Sequence, residues 1–152
     1  MSSKLSERIL SAKSSRETFA LLIAGSRDYA DYKEFCKITD YLLSIVQEKY
    51  DVLIIEGEAR GADTLARNYA SDRKYQVAPF PAQWDVYGKS AGYYRNELMV
   101  SELSLYHHRA ALFFWDGQSR GTKHCISEVD KAGIPYRVFD FRKKEFTNRK
   151  EN

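Results

Sequence analysis

The sequence has few cysteines and no long apolar run, and each shortage excludes a class of protein. Its two cysteines, Cys36 and Cys125, form neither a C-x-x-C pair nor part of a metal-ligand spacing, which excludes a disulfide framework and predicts reduced, partly buried thiols. No stretch approaches the roughly 20 apolar residues of a membrane span, and residues 1–7 lack a signal-peptide core. We therefore expect a cytoplasmic protein with no membrane partner.

An excess of one charge is also lacking. The chain carries 24 Lys and Arg against 21 Asp and Glu, a formal net charge of +3, whereas nucleic-acid-binding domains concentrate basic residues in a cluster or stripe. The densest basic run, Arg142-Lys143-Lys144, is predicted to be a solvated tail. This balance disfavours a nucleic-acid partner. With 152 residues, 43% of them hydrophobic, the chain is typical of one globular domain.

Apolar runs alternate with helical patterns along most of the chain. We predict strands at 18–24, 51–56, 75–80, 110–115 and 136–139, helices between them, and a long surface loop at 81–92. Such alternation predicts parallel strands joined by right-handed crossovers. The predicted fold is a single α/β, Rossmann-like, doubly wound domain with a mainly parallel five-stranded sheet and helices on both faces. This domain spans 17–140, between an N-terminal arm or short helix at 1–16 and a basic tail at 141–152.

Three loops that follow predicted strands combine small residues with an arginine: Gly25-Ser26-Arg27, Gly57 to Asp63, and Ser119-Arg120-Gly121-Thr122. Ligands of doubly wound sheets bind outside the carboxyl ends of the strands. There, helix N-termini and glycine backbones bind phosphate, and arginine contacts its oxygens in pairs. A phosphate-bearing ligand explains the three loops together, although none contains a named nucleotide fingerprint.

A simpler explanation of each loop stays open at this point. Glycines are common in ordinary turns. The three arginines could equally be solvated or pair with neighbouring acids, namely Asp28, Glu58 and Asp116.

Four ordered motifs resemble the YspA-like, cpYpsA-related branch of the SLOG superfamily. They are Gly25-Ser26-Arg27, Gly57-Glu58-Ala59-Arg60-Gly61-Ala62-Asp63, Tyr87-Gly88-Lys89-x-Ala91-Gly92-x-x-Arg95-Asn96-x-x-Met99, and Trp115-Asp116-Gly117-x-Ser119-Arg120-Gly121-Thr122-Lys123-His124. The resemblance covers about residues 18–140. The superfamily has Rossmann-like domains and includes the LOG phosphoribohydrolases, the DNA-processing protein DprA and sensors of nucleotide-derived signals. It implies a nucleotide or related ligand and leaves catalysis open.

The resemblance to the LOG enzymes is incomplete at their catalytic loop. Their catalytic arginine lies in an Arg-Lys-x-x-Met helix, similar to the segment from Arg95 to Met99, but His124 and Cys125 stand where their glutamates would follow the threonine. An N-glycosidic hydrolase needs a carboxylate to activate water or stabilise charge on the ribose. The candidates are Asp63, Asp116 and Glu128, with His124 as a replacement acid. Each carboxylate also has a structural alternative. Asp63 could be a favourable charge in the first turn of a helix, Asp116 could brace its turn, and Glu128 could face solvent.

Aromatic residues surround the predicted long loop and could stack on a base: Trp84, Tyr87, Tyr93 and Tyr94. Tyr94 and Leu98 lie one helical turn apart, which predicts an apolar face against the sheet or a second subunit. Dimerisation is common in relatives, so a homodimer is included among the expectations. The rings of His107 and His108 should diverge, and we predict no metal site and no cofactor.

The leading hypothesis is that the protein binds a phosphorylated nucleoside or nucleotide-derived small molecule, as a sensor or a nucleotide-processing protein. The first alternative is N-glycosidic hydrolysis of a nucleotide, and the second, prompted by the DprA relationship and the basic tail, is nucleic-acid binding. The predicted ligand-binding residues are Gly25, Ser26, Arg27, Gly57, Glu58, Arg60, Gly61, Asn96, Ser119, Arg120, Gly121 and Thr122. The candidate catalytic residues are Arg95, Asp116 and Asp63.

Overall fold

A computed structural model describes residues 16–147. The predicted N-terminal arm lies outside the described residues except for Arg16. In chain order the elements are β1 Thr18–Gly25, α1 Tyr32–Leu43, α2 Val46–Lys49, β2 Asp51–Glu56, α3 Ala62–Arg73, β3 Gln76–Pro79, α4 Trp84–Tyr87, a 3₁₀ turn Gly88–Ser90, α5 Ala91–Leu103, β4 His108–Trp115, α6 Arg120–Lys131, β5 Tyr136–Asp140 and β6 Glu145–Thr147. Strands and helices alternate as the sequence pattern predicts.

The sheet is mostly parallel and has the order β3-β2-β1-β4-β5-β6. The prediction of five strands is wrong, because β6 pairs antiparallel with β5 and makes a sixth. This strand lies within the residues assigned to the basic tail. Order reverses at β1, which pairs with β2 on one side and β4 on the other. The loops after β1 and β4 therefore leave the sheet next to each other.

Both faces of the sheet are covered, because side chains alternate along each strand. On one face Ala20, Leu22 and Ala24 of β1 pack in a core with buried residues of α5 and α6. On the other, Leu21 and Ile23 pack with buried residues of α1 and α3. A strand that is apolar on both faces reads as a continuous apolar run, which is why β1, β2 and β4 were predictable.

The segment at 81–92 departs from its prediction as a long loop. It contains α4 and the 3₁₀ turn, and α5 begins at Ala91. Helices of four and three residues are too short to show a hydrophobic period. The longest helix of residues 16–147, α5, has 13 residues, and no helix in that range is long and apolar enough to cross a membrane.

Candidate functional site

The ends of β1, β2 and β4 surround one cleft of about 580 Å³. Loops from all three strands contribute to its lining, and α5 closes the remaining side. The predicted residues that line it are Gly25, Ser26, Arg27, Arg60, Asp63, Arg95, Asn96, Asp116, Ser119, Gly121 and Thr122. Residues up to 97 positions apart in the sequence, Gly25 and Thr122, thus meet because parallel strands end at the same edge of the sheet.

Four predicted residues lie elsewhere. Gly57 and Glu58 line a second hollow of about 620 Å³ beside the cleft. Gly61 lines neither cavity; with a φ of 76°, it turns the chain into α3, where a Cβ would lie 2.3 Å from the carbonyl oxygen of Ser26. Arg120 is exposed as the first residue of α6 and does not line either cavity.

Ser26 connects the three loops. Its carbonyl oxygen accepts from the N–H of Ala62 at 3.3 Å, and its own N–H donates to the carbonyl oxygen of Phe114 at 2.9 Å. Its hydroxyl oxygen accepts from the N–H of Asp116 at 3.0 Å and lies 2.9 Å from the hydroxyl of Ser119. The buried serine therefore shapes the cleft, and its hydroxyl is already engaged within the protein.

Asp116 braces the turn after β4. Its Oδ1 accepts from the N–H groups of Gln118 at 2.9 Å and Ser119 at 2.7 Å and from the Ser119 hydroxyl at 2.8 Å. Partial burial raises the pKa of this carboxyl, but the hydrogen bonds from Ser119 and Gln118 lower it by more, so the pKa lies below its ordinary value. Asp116 is thus an ionised acceptor rather than a proton donor near neutral pH.

Arg95 is held against the loop after β2. Its Nη1 donates to the carbonyl oxygen of Gly57 at 2.5 Å, and its Nε donates to Oδ1 of Asn96 at 2.9 Å. Asn96 in turn donates through Nδ2 to the carbonyl oxygen of Gly121 at 3.1 Å. This chain of contacts links α5 to the loops after β2 and β4 and orients the guanidinium.

Asp63 is a buried carboxyl in the wall of the cleft, with only 4% of its surface exposed. Its Oδ2 accepts from the N–H of Ala59 at 3.2 Å, whereas Oδ1 is buried without a hydrogen-bond partner among residues 16–147. Burial raises the pKa of Asp63 to about 7, although Arg95 and the N–H of Ala59 lower it. An unsatisfied buried polar atom in a native fold calls for an explanation, and a bound group is one.

The cleft is positively charged at its rim. Arg27, Arg60 and Lys89 line it, and no ion pair of residues 16–147 joins any of them to an acid. Asp28, a suggested partner of Arg27, pairs instead with Arg142 at 3.0 Å. These cations can therefore contact an anion without first breaking an ion pair.

Two of the four candidate aromatic residues line the cleft. Trp84 lies beneath the guanidinium of Arg27, 5.9 Å from the ring centroid, and Tyr93 stacks on His124 at 4.3 Å. Tyr87 and Tyr94 pack against each other outside it. Tyr94 and Leu98 are 41% and 43% exposed, so their side of α5 does not pack on the sheet, and the second subunit stays a prediction.

His124 and Glu128 lie on α6 beside the cleft. Together with Glu97, they place three potential metal-ligand atoms within 4.8 Å of one another. Asn96 Nδ2 lies 3.2 Å from His124 Nδ1, and the amide orientation is set by Arg95. In a neutral ring Nδ1 then accepts and Nε2 carries the proton. Nε2 lies 3.7 Å from Oε2 of Glu128, which is too far for a hydrogen bond.

Several lining residues were not among the predicted site residues. Lys89, Gly92 and Met99 belong to the third motif of the resemblance, and Cys125 follows Gly121 by one helical turn. Helical spacing from Gly121 and from Arg95 was the signal that could have identified Cys125 and Met99. Burial raises the pKa of the Cys125 thiol to about 12, so the thiol lines the cleft as an uncharged group.

Comparisons with known proteins agree with this arrangement of motifs. A family model described as YspA, cpYpsA-related SLOG family matches residues 19–87, which include the first two loops and Trp84. The chain is also 36% identical over 121 residues to the Gene 61 protein of Mycobacterium phage D29, covering 76% of this chain and 91% of that protein. The chain belongs to the YspA, cpYpsA-related SLOG family.

Proposed function

We propose that the cleft binds a phosphorylated nucleoside or a nucleotide-derived small molecule. The observation that carries the proposal is the convergence of three strand-end loops on one cleft whose lining cations Arg27, Arg60 and Lys89 form no ion pair with any acid of residues 16–147. A volume of about 580 Å³ is within the range of small-molecule sites. Family membership supports a nucleotide-related function. The strand order is that of doubly wound dinucleotide-binding sheets, which supports a Rossmann-like assignment.

The proposed pose follows from the distribution of charge. Arg27 and Arg60 supply the charge that holds a phosphate. No side chain of residues 16–147 caps the N-terminus of α6, so the backbone at Gly121 and Thr122 offers donors to the hydroxyl groups of the sugar. The sugar then lies near Asp63, and Tyr93 stacks on the base.

Isothermal titration against nucleoside monophosphates, cyclic nucleotides, ADP-ribose and NAD tests this proposal. We expect at least one of them to bind with a Kd below 1 mM, and Arg60→Ala to weaken that binding. Absence of binding by the whole panel below millimolar concentration would refute the proposal.

A second candidate function is hydrolysis of the N-glycosidic bond of such a ligand. The observation that favours it is Asp63, a buried carboxyl with a raised pKa beside Arg95. In its protonated form Asp63 would give a proton to the leaving base as the C1′–N bond breaks, while water adds to C1′ and loses a proton to solvent. The products are a free base and a sugar phosphate.

Chromatographic detection of the free base separates the two functions. An enzyme should release base, and Asp63→Asn should abolish release while ligand binding persists. Binding without release, with Arg95→Ala only weakening the affinity, identifies a sensor.

A further inference from the structure

The cleft continues into the second hollow. The two cavities, of about 580 and 620 Å³, share Arg27, Ala59, Arg60, Trp84 and Arg95 in their walls. The cleft extends from this boundary towards the loop after β4, and the hollow extends towards Pro81 and Ala82, which follow β3. Each volume is within the range of a separate small-molecule site.

The boundary is the most cationic part of the two cavities. All three arginines that line the cleft, Arg27, Arg60 and Arg95, also line the hollow. The hollow beyond them is walled by Gly57, Glu58, Pro81 and Ala82, which offer one acid and no further cation. Guanidinium groups contact phosphate oxygens in pairs, so the boundary favours an anionic group such as a phosphate.

Trp84 lies at the same boundary. Half of its surface, 48%, is exposed, and Arg27 lies over its ring. A ring in either cavity can stack on this indole. The strand order also favours an elongated ligand. In doubly wound sheets, dinucleotides lie across the crevice at which the strand order reverses, and in this sheet the order reverses at β1.

We propose that the ligand has two ends: a nucleoside in the cleft, joined through phosphate or pyrophosphate at the three arginines to a second sugar or nucleoside in the hollow. This inference rests on the proposed function of the cleft. It predicts that a monophosphate occupies only part of the site.

The test compares ligands that share a base and differ in the second phosphate and in the second end. Isothermal titration of the full chain is made with AMP, ADP and ADP-ribose, with UMP, UDP and UDP-glucose, with GMP, GDP and GDP-mannose, and with NAD. For the preferred base we expect the two-ended ligand to bind at least tenfold more tightly than both the monophosphate and the diphosphate. Equal or weaker binding of the two-ended ligand would overturn the inference and leave the proposed function standing. If none of these probes binds, the inference fails, and titration with the cyclic nucleotides of the first panel decides the proposed function separately.

Ala82→Trp tests where the second end lies. The indole should fill the hollow and remove most of the tenfold preference, with the affinity for the monophosphate changed less than twofold. Ala132→Trp, at an exposed residue after α6, controls for the added tryptophan. Equal weakening of both ligands by Ala82→Trp would contradict the assignment of the hollow. The wild-type comparison does not depend on either variant.

Discussion

Arg95 Nη1 donates a hydrogen bond to the carbonyl oxygen of Gly57 at 2.5 Å, and the guanidinium lies where a side chain on residue 57 would be. A Cβ there would be 2.3 Å from Nη1 and 2.8 Å from Cζ of Arg95, and 2.9 Å from Oδ2 of Asp63. Gly57→Ala should therefore displace Arg95, at the far end of a flexible side chain, and shift the Asp63 carboxyl slightly, without unfolding the sheet. We expect roughly a tenfold loss of nucleotide affinity, equivalent to about 1.4 kcal/mol, measured by titration.

Gly92→Ala is the matched control for this substitution. Gly92 also lines the cleft, but a Cβ there would meet only ordinary contacts, 3.5 Å from Trp84 and 3.8 Å from Arg95. The nucleotide affinity of Gly92→Ala should stay within about twofold of the wild-type affinity. If both alanine variants lose affinity equally, the position of Arg95 is not the cause.

Arg60 and Arg120 should differ in importance although both occur in the predicted phosphate loops. Arg60 lines both cavities, whereas Arg120 lines neither. A hydrogen bond to a charged group contributes about 1.5–3 kcal/mol, so Arg60→Ala should weaken binding roughly tenfold or more. Arg120→Ala should weaken it less than threefold. Titration of both variants at one salt concentration decides, and a larger loss in Arg120→Ala would contradict the structure.

Asp63→Asn should reduce the pH dependence of stability. The folded-state pKa is raised from 3.8 to about 7, so between about pH 4 and pH 7 the folded protein retains a proton that the unfolded chain has released. The free energy of unfolding of the wild type therefore falls as pH rises through this window, whereas asparagine has no such proton.

Thermal melts at pH 5 and pH 8 measure this difference. Between pH 5 and pH 8, the free energy of unfolding of the wild type should fall by about 2 kcal/mol more than that of Asp63→Asn. This difference corresponds to roughly 4–8 °C in Tm for a chain of this size. Burial also raises the pKa of Glu56, and this carboxyl remains in both proteins. Equal losses of Tm would show that Asp63 titrates as an ordinary carboxyl.

Ser26→Ala should destabilise the protein through the loops. It removes the hydroxyl that accepts from the N–H of Asp116 and contacts Ser119. Leaving a partly buried N–H without a partner costs about 1–2 kcal/mol, or roughly 2–8 °C in Tm. Ser90→Ala, which removes an exposed hydroxyl bonded to the carbonyl oxygen of Tyr87, should change Tm by less than about 1 °C. A similar loss in both variants would contradict the role given to Ser26.

The convergence of the three loops was predictable because it follows from strand direction alone. Apolar runs identify β1, β2 and β4, and parallel strands must end at one edge. The loop motif does not determine whether a residue at that edge lines the cleft or faces solvent. Arg120 begins a helix and is exposed, whereas Lys89, 31 positions before it, lines the cleft from the 3₁₀ turn that precedes α5.

Short elements were missed for a different reason. β6 has three residues, and it forms because a turn with Lys144 at a φ of 59° returns the chain beside β5. Arg142 pairs with Asp28 and Lys144 with Glu34 across the fold, so partners more than 100 positions away hold the segment that composition alone assigns to a solvated tail. No local pattern contains that information.

Ser26 has a consequence for hydrogen exchange. The N–H groups of Ala62 and Asp116 both donate to this one residue, so a fluctuation that releases the loop after β1 exposes both amides to solvent together. Amide protons in the loops after β2 and β4 should then exchange as one cooperative unit although Ala62 and Asp116 are 54 positions apart. The two walls of the cleft open and close as a single body.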